Sequence, residues 1–167
     1  DSNSIIYSFG IGKDLSFSKD VIEYTDANIY GFDPTPESIL YVKNNEIKNF
    51  IFFDYGLGIK NKEQKFYHHI NSNYVSGSLV KHGRTNPNFD LVKIRTLDSI
   101  MKDLKHSYLD VLKLDIEGLE YDVIEYILNK NIKVKQLLVE FHDRFFPDEK
   151  CKSEKIIQML KDKGYIL

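Results

Sequence analysis

Four short segments bring together residues that can do chemistry. In the first, Ser8-Phe9-Gly10-Ile11-Gly12-Lys13-Asp14, two glycines separated by one residue follow an apolar run. Such a pair lets backbone approach a ligand closely and lets the chain turn into a helix. A plain turn uses the same glycines. Asp33 is the second feature, 21 residues beyond Gly12 and just before Pro34. An acid at about that distance commonly accepts hydrogen bonds from ribose hydroxyls. An Asx-type turn before Thr35 is its other reading. Together the two features predict a nucleoside site.

The third segment is Leu112-Lys113-Leu114-Asp115-Ile116-Glu117-Gly118, whose two carboxylates straddle a strand end and a helix start. A helix N-terminus favours their charge, and a simple N-cap would account for them as well. The fourth, Glu140-Phe141-His142-Asp143, is a polar cluster closing the apolar run Leu137, Leu138, Val139. A loop network with Arg144 is the alternative there. Asp115, Glu117, Glu140 and His142 are the candidate general bases, the imidazole because it titrates near neutrality. The same four suit Mg²⁺ or Mn²⁺ by donor type, but their spacing carries no metal signature, and no metal is predicted.

The elements that must position these residues alternate between strand and helix. Apolar runs predict strands at 4–9, 28–33, 50–53, 90–94, 110–115 and 136–141. Helical stripes fall at 16–24, 36–42, 96–105, 118–130 and 153–163, with Ser16 and Thr96 as caps. Residues 165–167 begin another strand. The stretch 55–87 reads as an irregular edge insertion or acceptor loop around a strand at 65–69. It carries His68, His69, Lys81, His82 and Arg84. Strands separated by helices imply right-handed crossovers and an α/β fold with a mostly parallel sheet. Ligands bind such sheets at the carboxyl ends of the strands, where all four segments lie.

Size and composition agree with one domain over residues 1–167. A hydrophobic share of 42% with 29% charged residues excludes collagen-like and disordered classes. No apolar run nears the ~18 residues of a membrane span, and no signal-like opening is present. The net charge of −2 gives no basic field for nucleic acid. Cys151, the sole cysteine, excludes an internal disulfide or a CxxC knuckle. The expectation is a soluble, cytoplasmic domain acting on a small molecule, with neither membrane nor nucleic acid as partner.

The strings YSFGIGKDLSF, FDPTPES, DVLKLDIEGLEYDVI and LLVEFH, in that order across residues 6–165, resemble the FkbM-type methyltransferases. The resemblance implies a Rossmann-like, doubly wound, mostly parallel sheet of the class I methyltransferase type. It also implies S-adenosyl-L-methionine as cofactor and methyl transfer to a hydroxyl of a sugar or other small metabolite. It places Gly10 and Gly12 beneath the methionine part, with Ser8, Phe9 and Asp14 in the same loop. Asp33, beside Pro34, would hold the ribose hydroxyls, with Asp54 near the adenine. Asp115, followed by Glu117, would face methyl and acceptor; with His142 they make the catalytic set. Two positions depart from the pattern: Ser8 replaces an acid and Asp14 a third glycine, so Asp14 is the candidate for the missing carboxylate. The family's C-terminal antiparallel hairpin is expected to be absent beyond Leu167, as in a trimmed domain.

Two rival readings use the same residues. A nicotinamide-dependent reductase shares the glycine loop and the acid, and Tyr126 with Lys130 gives a Tyr-x-x-x-Lys pair. Its third glycine would fall at Leu15, which is no glycine. The other rival is a non-catalytic Rossmann-like domain that binds glycans or protein partners.

Overall fold

The computed structural model describes residues 1–69, 77–78, 85–146 and 149–167. In chain order the elements are β1 (Ile6–Phe9), α1 (Ser16–Thr25), β2 (Ile29–Phe32), α2 (Pro36–Asn44), β3 (Phe50–Phe53), β4 (Gly56–Leu57) and β5 (Lys62–His69). There follow β6 (Gly77–Ser78), β7 (Thr85–Arg95), α3 (Leu97–Asp103), β8 (Leu109–Leu114), α4 (Glu120–Asn129), β9 (Val134–Val139) and α5 (Glu149–Asp162). A short 3-10 turn at Asp143–Phe145 precedes α5.

Five strands form one all-parallel sheet in the order β3-β2-β1-β8-β9. The first strand therefore lies in the middle. The chain winds outward to β3 on one side, then returns to lay β8 and β9 on the other. Ile6 stands opposite both Ile29 of β2 and Val111 of β8. Between β1 and β8 the strand order reverses, the place where open α/β sheets bind ligands.

Burial on both faces explains the near-continuous apolar strands. On one face Tyr7, Phe9, Phe32, Leu112 and Leu114 pack under Ile100 of α3, Ile124 and Ile127 of α4 and Leu160 of α5. On the other, Ile6 and Ile29 meet Val21 and Ile22 of α1, while Val42 of α2 joins Ile11 and Leu15. An aromatic row crosses the strand tips. Phe9 stacks on Phe32 at 4.3 Å between centroids, and Phe32 stacks on Phe53 at 5.1 Å.

A second sheet, in the order β4-β7-β5-β6, occupies most of the described part of 55–87. This corrects the expectation of an irregular stretch. β5 pairs antiparallel with β7 from Lys62↔Ile94 to Tyr67↔Phe89. The pairing was hidden because β7 buries Val92 and Ile94 but exposes Leu91 and Phe89, so apolar alternation marks only its end. Its partner also lies far away in sequence.

Residues 165–167 form no strand. Gly164, at φ +89°, ends α5; the Tyr165 N–H returns to the Leu160 carbonyl and its hydroxyl donates to the Val134 carbonyl at 2.8 Å. Those bonds replace a ladder. Of the expected caps, Thr96 does stand at the N-cap of α3, without a side-chain capping bond and with its N–H donating to Asn61 at 2.8 Å. Ser16 is instead the first residue of α1, its N–H donating to Asp14 at 2.8 Å. No described helix is long and apolar enough to cross a membrane.

Candidate active site

The glycine loop is held against two neighbouring strand tips. The Gly10 N–H donates to the Phe32 carbonyl at 3.1 Å, and the Asp115 N–H donates to the Phe9 carbonyl at 3.2 Å. Gly10 has φ +80°, and a Cβ there would lie 1.8 Å from the Asp115 carbonyl oxygen. Only glycine fits. Gly12 differs: its φ is +56°, and a Cβ there would meet nothing within 4 Å. Its backbone faces open space on which a ligand can lie.

Asp33, 5% exposed, fixes that loop. Its Oδ2 accepts the N–H groups of Ile11 and Gly12, each at 2.9 Å. Its Oδ1 accepts the Thr35 N–H at 2.9 Å and the Thr35 hydroxyl at 2.7 Å. Both oxygens are thus engaged in joining the β2 tip to the glycine loop, and a ribose hydroxyl would compete for them. Asp14 is exposed; the hydrogen bond from the Ser16 N–H leads the causes that hold its carboxyl below the ordinary range.

A cavity of about 290 Å³ opens between these tips, near the lower end of ligand pockets, roughly 300–1,000 Å³. Phe9, Gly10, Gly12, Asp14, Asp33, Pro34, Asp115 and Glu117 all border it, together with Gly56, Leu57 and Phe66 of the second sheet. Four expected residues do not: Ser8, Asp54, the candidate base Glu140 and the predicted catalytic His142, which is buried behind the wall. Ser8 is buried in the central sheet, and Asp54 is exposed after β3 and lines no part of the cavity. A larger open groove, about 1,100 Å³ along β9 and the C-terminal residues, holds none of the candidate residues.

His142 stands behind Asp115 and Glu117. It is 1% exposed, and its Nε2 lies 3.4 Å from Glu117, 3.8 Å from Asp115 and 3.8 Å from Glu140. Its other nitrogen, Nδ1, is 3.2 Å from Glu120. Burial alone would depress this imidazole, but the hydrogen bond and charge of Glu120, with Glu117 adding to them, hold it above its ordinary value. Glu117 is pushed up, by burial first and by Asp115 and Glu140 besides, against the pull of His142. Its backbone takes the left-handed conformation at φ +52°, turning the chain sharply from β8 into α4. The Lys113 ammonium sits 3.5 Å from the far oxygen of Asp115.

Sequence reasoning missed Glu120 and Phe66. Glu120 is fully buried, and its Oε2 accepts the Gly118 N–H at 2.9 Å. A signal was present: Glu120 falls on the same helical stripe as Val123, Ile124 and Ile127, a carboxylate among apolar positions. Phe66 reaches the cavity only through the non-local β5–β7 pairing, which no local pattern reveals.

The reductase pair lies elsewhere. The Tyr126 hydroxyl donates to Asp98 at 3.0 Å, and neither Tyr126 nor Lys130 borders the cavity. His68 pairs with Asp90 at 3.2 Å on the second sheet and does not border the cavity. Lys81, His82 and Arg84, and the His69 side chain, lie outside the described residues.

The model of one family, the methyltransferase FkbM domain, matches residues 11–167. No curated protein and no solved structure matches the chain. The match takes in every strand tip that borders the cavity from Ile11 onward, and the all-parallel five-stranded sheet is consistent with a Rossmann-like methyltransferase fold. Since it leaves out only the first ten residues, the chain belongs to the FkbM methyltransferase domain family.

Proposed function

We propose that this chain uses S-adenosylmethionine to methylate a hydroxyl oxygen of a small acceptor, a carbohydrate being the leading class. One observation carries the reading: the cavity joins the open backbone of the glycine loop to the paired carboxylates of Asp115 and Glu117. The residues fit the cofactor, because Gly12 leaves room above its backbone and Phe9 and Phe32 give the hollow an apolar wall. Bound there, S-adenosylmethionine supplies a methyl group already activated by its sulfonium.

What remains for the protein is placement and proton removal. Displacement requires the acceptor oxygen at about 3–3.5 Å from the methyl carbon, in line with the departing bond. Asp115, on the rigid end of β8, is set to orient that oxygen. A hydroxyl must shed one proton for each methyl it gains. Glu117, on the cavity wall with His142 3.4 Å behind it, is the proposed acceptor of that proton. Asp33 keeps the loop in the shape that receives the nucleoside and offers the nearest acid for its ribose. The formal charge of −2 offers nucleic acid no counter-field.

Binding and turnover test this separately. S-adenosylhomocysteine at millimolar concentration should raise the melting temperature, since a ligand of the folded state stabilises it. Labelled methyl from S-adenosylmethionine should then appear on members of a monosaccharide panel. No thermal shift with S-adenosylhomocysteine sinks the proposal. A saturable shift with NADH alone would favour the reductase, and binding without transfer to any acceptor would favour a non-catalytic domain.

A further inference from the structure

We propose that Asp115, Glu140 and His142 form a site for one divalent cation of the manganese class, touching the cavity through Asp115 alone. One ligand atom from each residue lies within 4.8 Å of the others, and among the described residues no other such group occurs. Ligands of a six-coordinate ion at about 2.1–2.3 Å stand roughly 3 Å apart when adjacent and 4.5 Å when opposite. The His142 Nε2 is 3.8 Å from both carboxylates, inside that span. Glu140, 57% exposed, is free to swing the small remaining distance.

This is more than a cluster of acids. His142 is 1% exposed, and its Nε2 faces three carboxylates, Glu117 at 3.4 Å and Asp115 and Glu140 at 3.8 Å each. Its Nδ1 faces Glu120, which is fully buried and also accepts the His142 backbone N–H at 2.7 Å. A carboxylate only accepts, so it favours the hydrogen on Nδ1 and leaves the Nε2 lone pair for a metal. A carboxylate behind a ligating histidine is the arrangement that fixes ring and tautomer at metal centres.

Sheet geometry brings the ligands together. Asp115 follows β8 and Glu140 follows β9, with Leu114 opposite Val139 and the Glu140 N–H on the Leu114 carbonyl at 2.9 Å. Two carboxylates and one neutral imidazole carry two negative charges, matching a divalent ion. Oxygen donors with a single imidazole suit Mn²⁺ better than Ca²⁺ or a thiolate-seeking metal. Binding of the ion stands on these residues alone. Its role, holding the acceptor oxygen and lowering the pKa of the hydroxyl, rests on the methyl-transfer reading above.

The test titrates Mn²⁺ alone into metal-stripped protein and follows loss of the free-ion electron paramagnetic resonance signal. One ion per chain should be retained, with affinity falling at least about tenfold in Glu140→Gln and Asp115→Asn. Glu23→Gln, an exposed acid on α1, should bind as the parent does. Glu140 is exposed enough for its variant to fold. Absence of binding up to roughly millimolar Mn²⁺, or equal binding in all three variants, overturns the site. S-adenosylhomocysteine binding, followed by melting in the metal-free protein, separates the two proposals. Protein that retains Mn²⁺ but ignores the nucleoside keeps this site and loses the methyl-transfer reading. Protein that binds the nucleoside and no Mn²⁺ loses this site alone.

Discussion

One oxygen of Glu120 accepts both the backbone N–H of His142, at 2.7 Å, and its ring nitrogen Nδ1, at 3.2 Å. The other oxygen accepts the Gly118 N–H at 2.9 Å. A single buried carboxylate therefore ties the start of α4 to the segment after β9 and sets the orientation of the imidazole between them. Its position on an otherwise apolar stripe is unfavourable for folding unless every acceptor site is used, which they nearly are. The residue reads as a positioning group acting through His142.

Glu120→Gln should separate that role from simple packing. The amide keeps one acceptor oxygen and presents a donor to either the Gly118 or the His142 N–H. An unsatisfied buried donor costs about 1–3 kcal/mol of stability, measurable by urea unfolding. Methyl-transfer kcat should fall by about 10–100-fold, the usual effect of removing a group that orients a site residue. S-adenosylhomocysteine affinity should not change, because Glu120 does not border the cavity. Equal losses in kcat and nucleoside affinity would mean that the substitution merely loosens the fold.

Much of this arrangement was legible in the sequence, for physical reasons that also mark its limits. The five parallel strands announced themselves because burial on both faces leaves short, largely apolar runs, as in Ile6–Phe9 and Ile29–Phe32. Parallel topology then put Gly10, Asp33 and Asp115 at one end of the sheet, without any knowledge of side-chain contacts. The second sheet was obscured because Phe89 and Leu91 face solvent, against the usual alternation. Asp33 was assigned by distance along the chain, whereas its hydrogen bonds, which engage both oxygens, depend on where Thr35 and the loop amides come to rest. Asp54 and Ser8 had the right strands and the wrong faces or positions, a matter of one residue in an alternating register.

Gly10→Ala and Gly12→Ala should behave differently despite both replacing left-handed glycines. At Gly12 a methyl meets open space, so only the conformational penalty applies, about 1–2 kcal/mol. At Gly10 it also collides with the Asp115 carbonyl, adding overpacking of about 1–3 kcal/mol. Urea midpoints should rank parent, Gly12→Ala, Gly10→Ala. Gly12→Ala, folded but with a methyl in the cavity wall, should show the larger loss of S-adenosylhomocysteine affinity relative to its loss of stability. The reverse order of stabilities would contradict the loop geometry.

Asp33→Asn tests whether that residue braces the loop, holds ribose, or does both. The amide would turn a donor toward the N–H groups of Ile11 and Gly12 or toward Thr35. Loss of hydrogen bonds to a charged group is worth about 1.5–3 kcal/mol each, so a stability loss of about 2–4 kcal/mol is expected from the brace alone. A ribose contact adds a second signature: S-adenosylhomocysteine affinity falls at least about tenfold, while the 2′-deoxy analogue, lacking the hydroxyl, suffers less from the substitution. If both ligands weaken equally, Asp33 acts only through the loop.

A final expectation concerns pH and lies away from the cavity. His106 follows α3, with its Nδ1 2.8 Å from the Tyr7 hydroxyl and the Tyr30 ring against its edge at 4.9 Å. Burial holds its pKa below the ordinary 6.5. The folded state therefore resists protonation more than the unfolded chain does, so this residue supports stability fully above about pH 6.5 and loses that contribution as pH falls through its depressed folded value. His142 acts in the opposite sense, since its raised pKa lends stability below about 6.5 that is lost as pH climbs through the folded value. Comparing parent with His106→Gln cancels the His142 effect, because both proteins retain it, and the glutamine oxygen can still accept the Tyr7 hydroxyl. Urea unfolding at pH 8 and pH 5.5 should show the parent losing more stability on acidification than the variant. Parallel losses would mean that His106 is solvated enough to titrate alike in both states, and that its contact with Tyr7 does not keep it neutral.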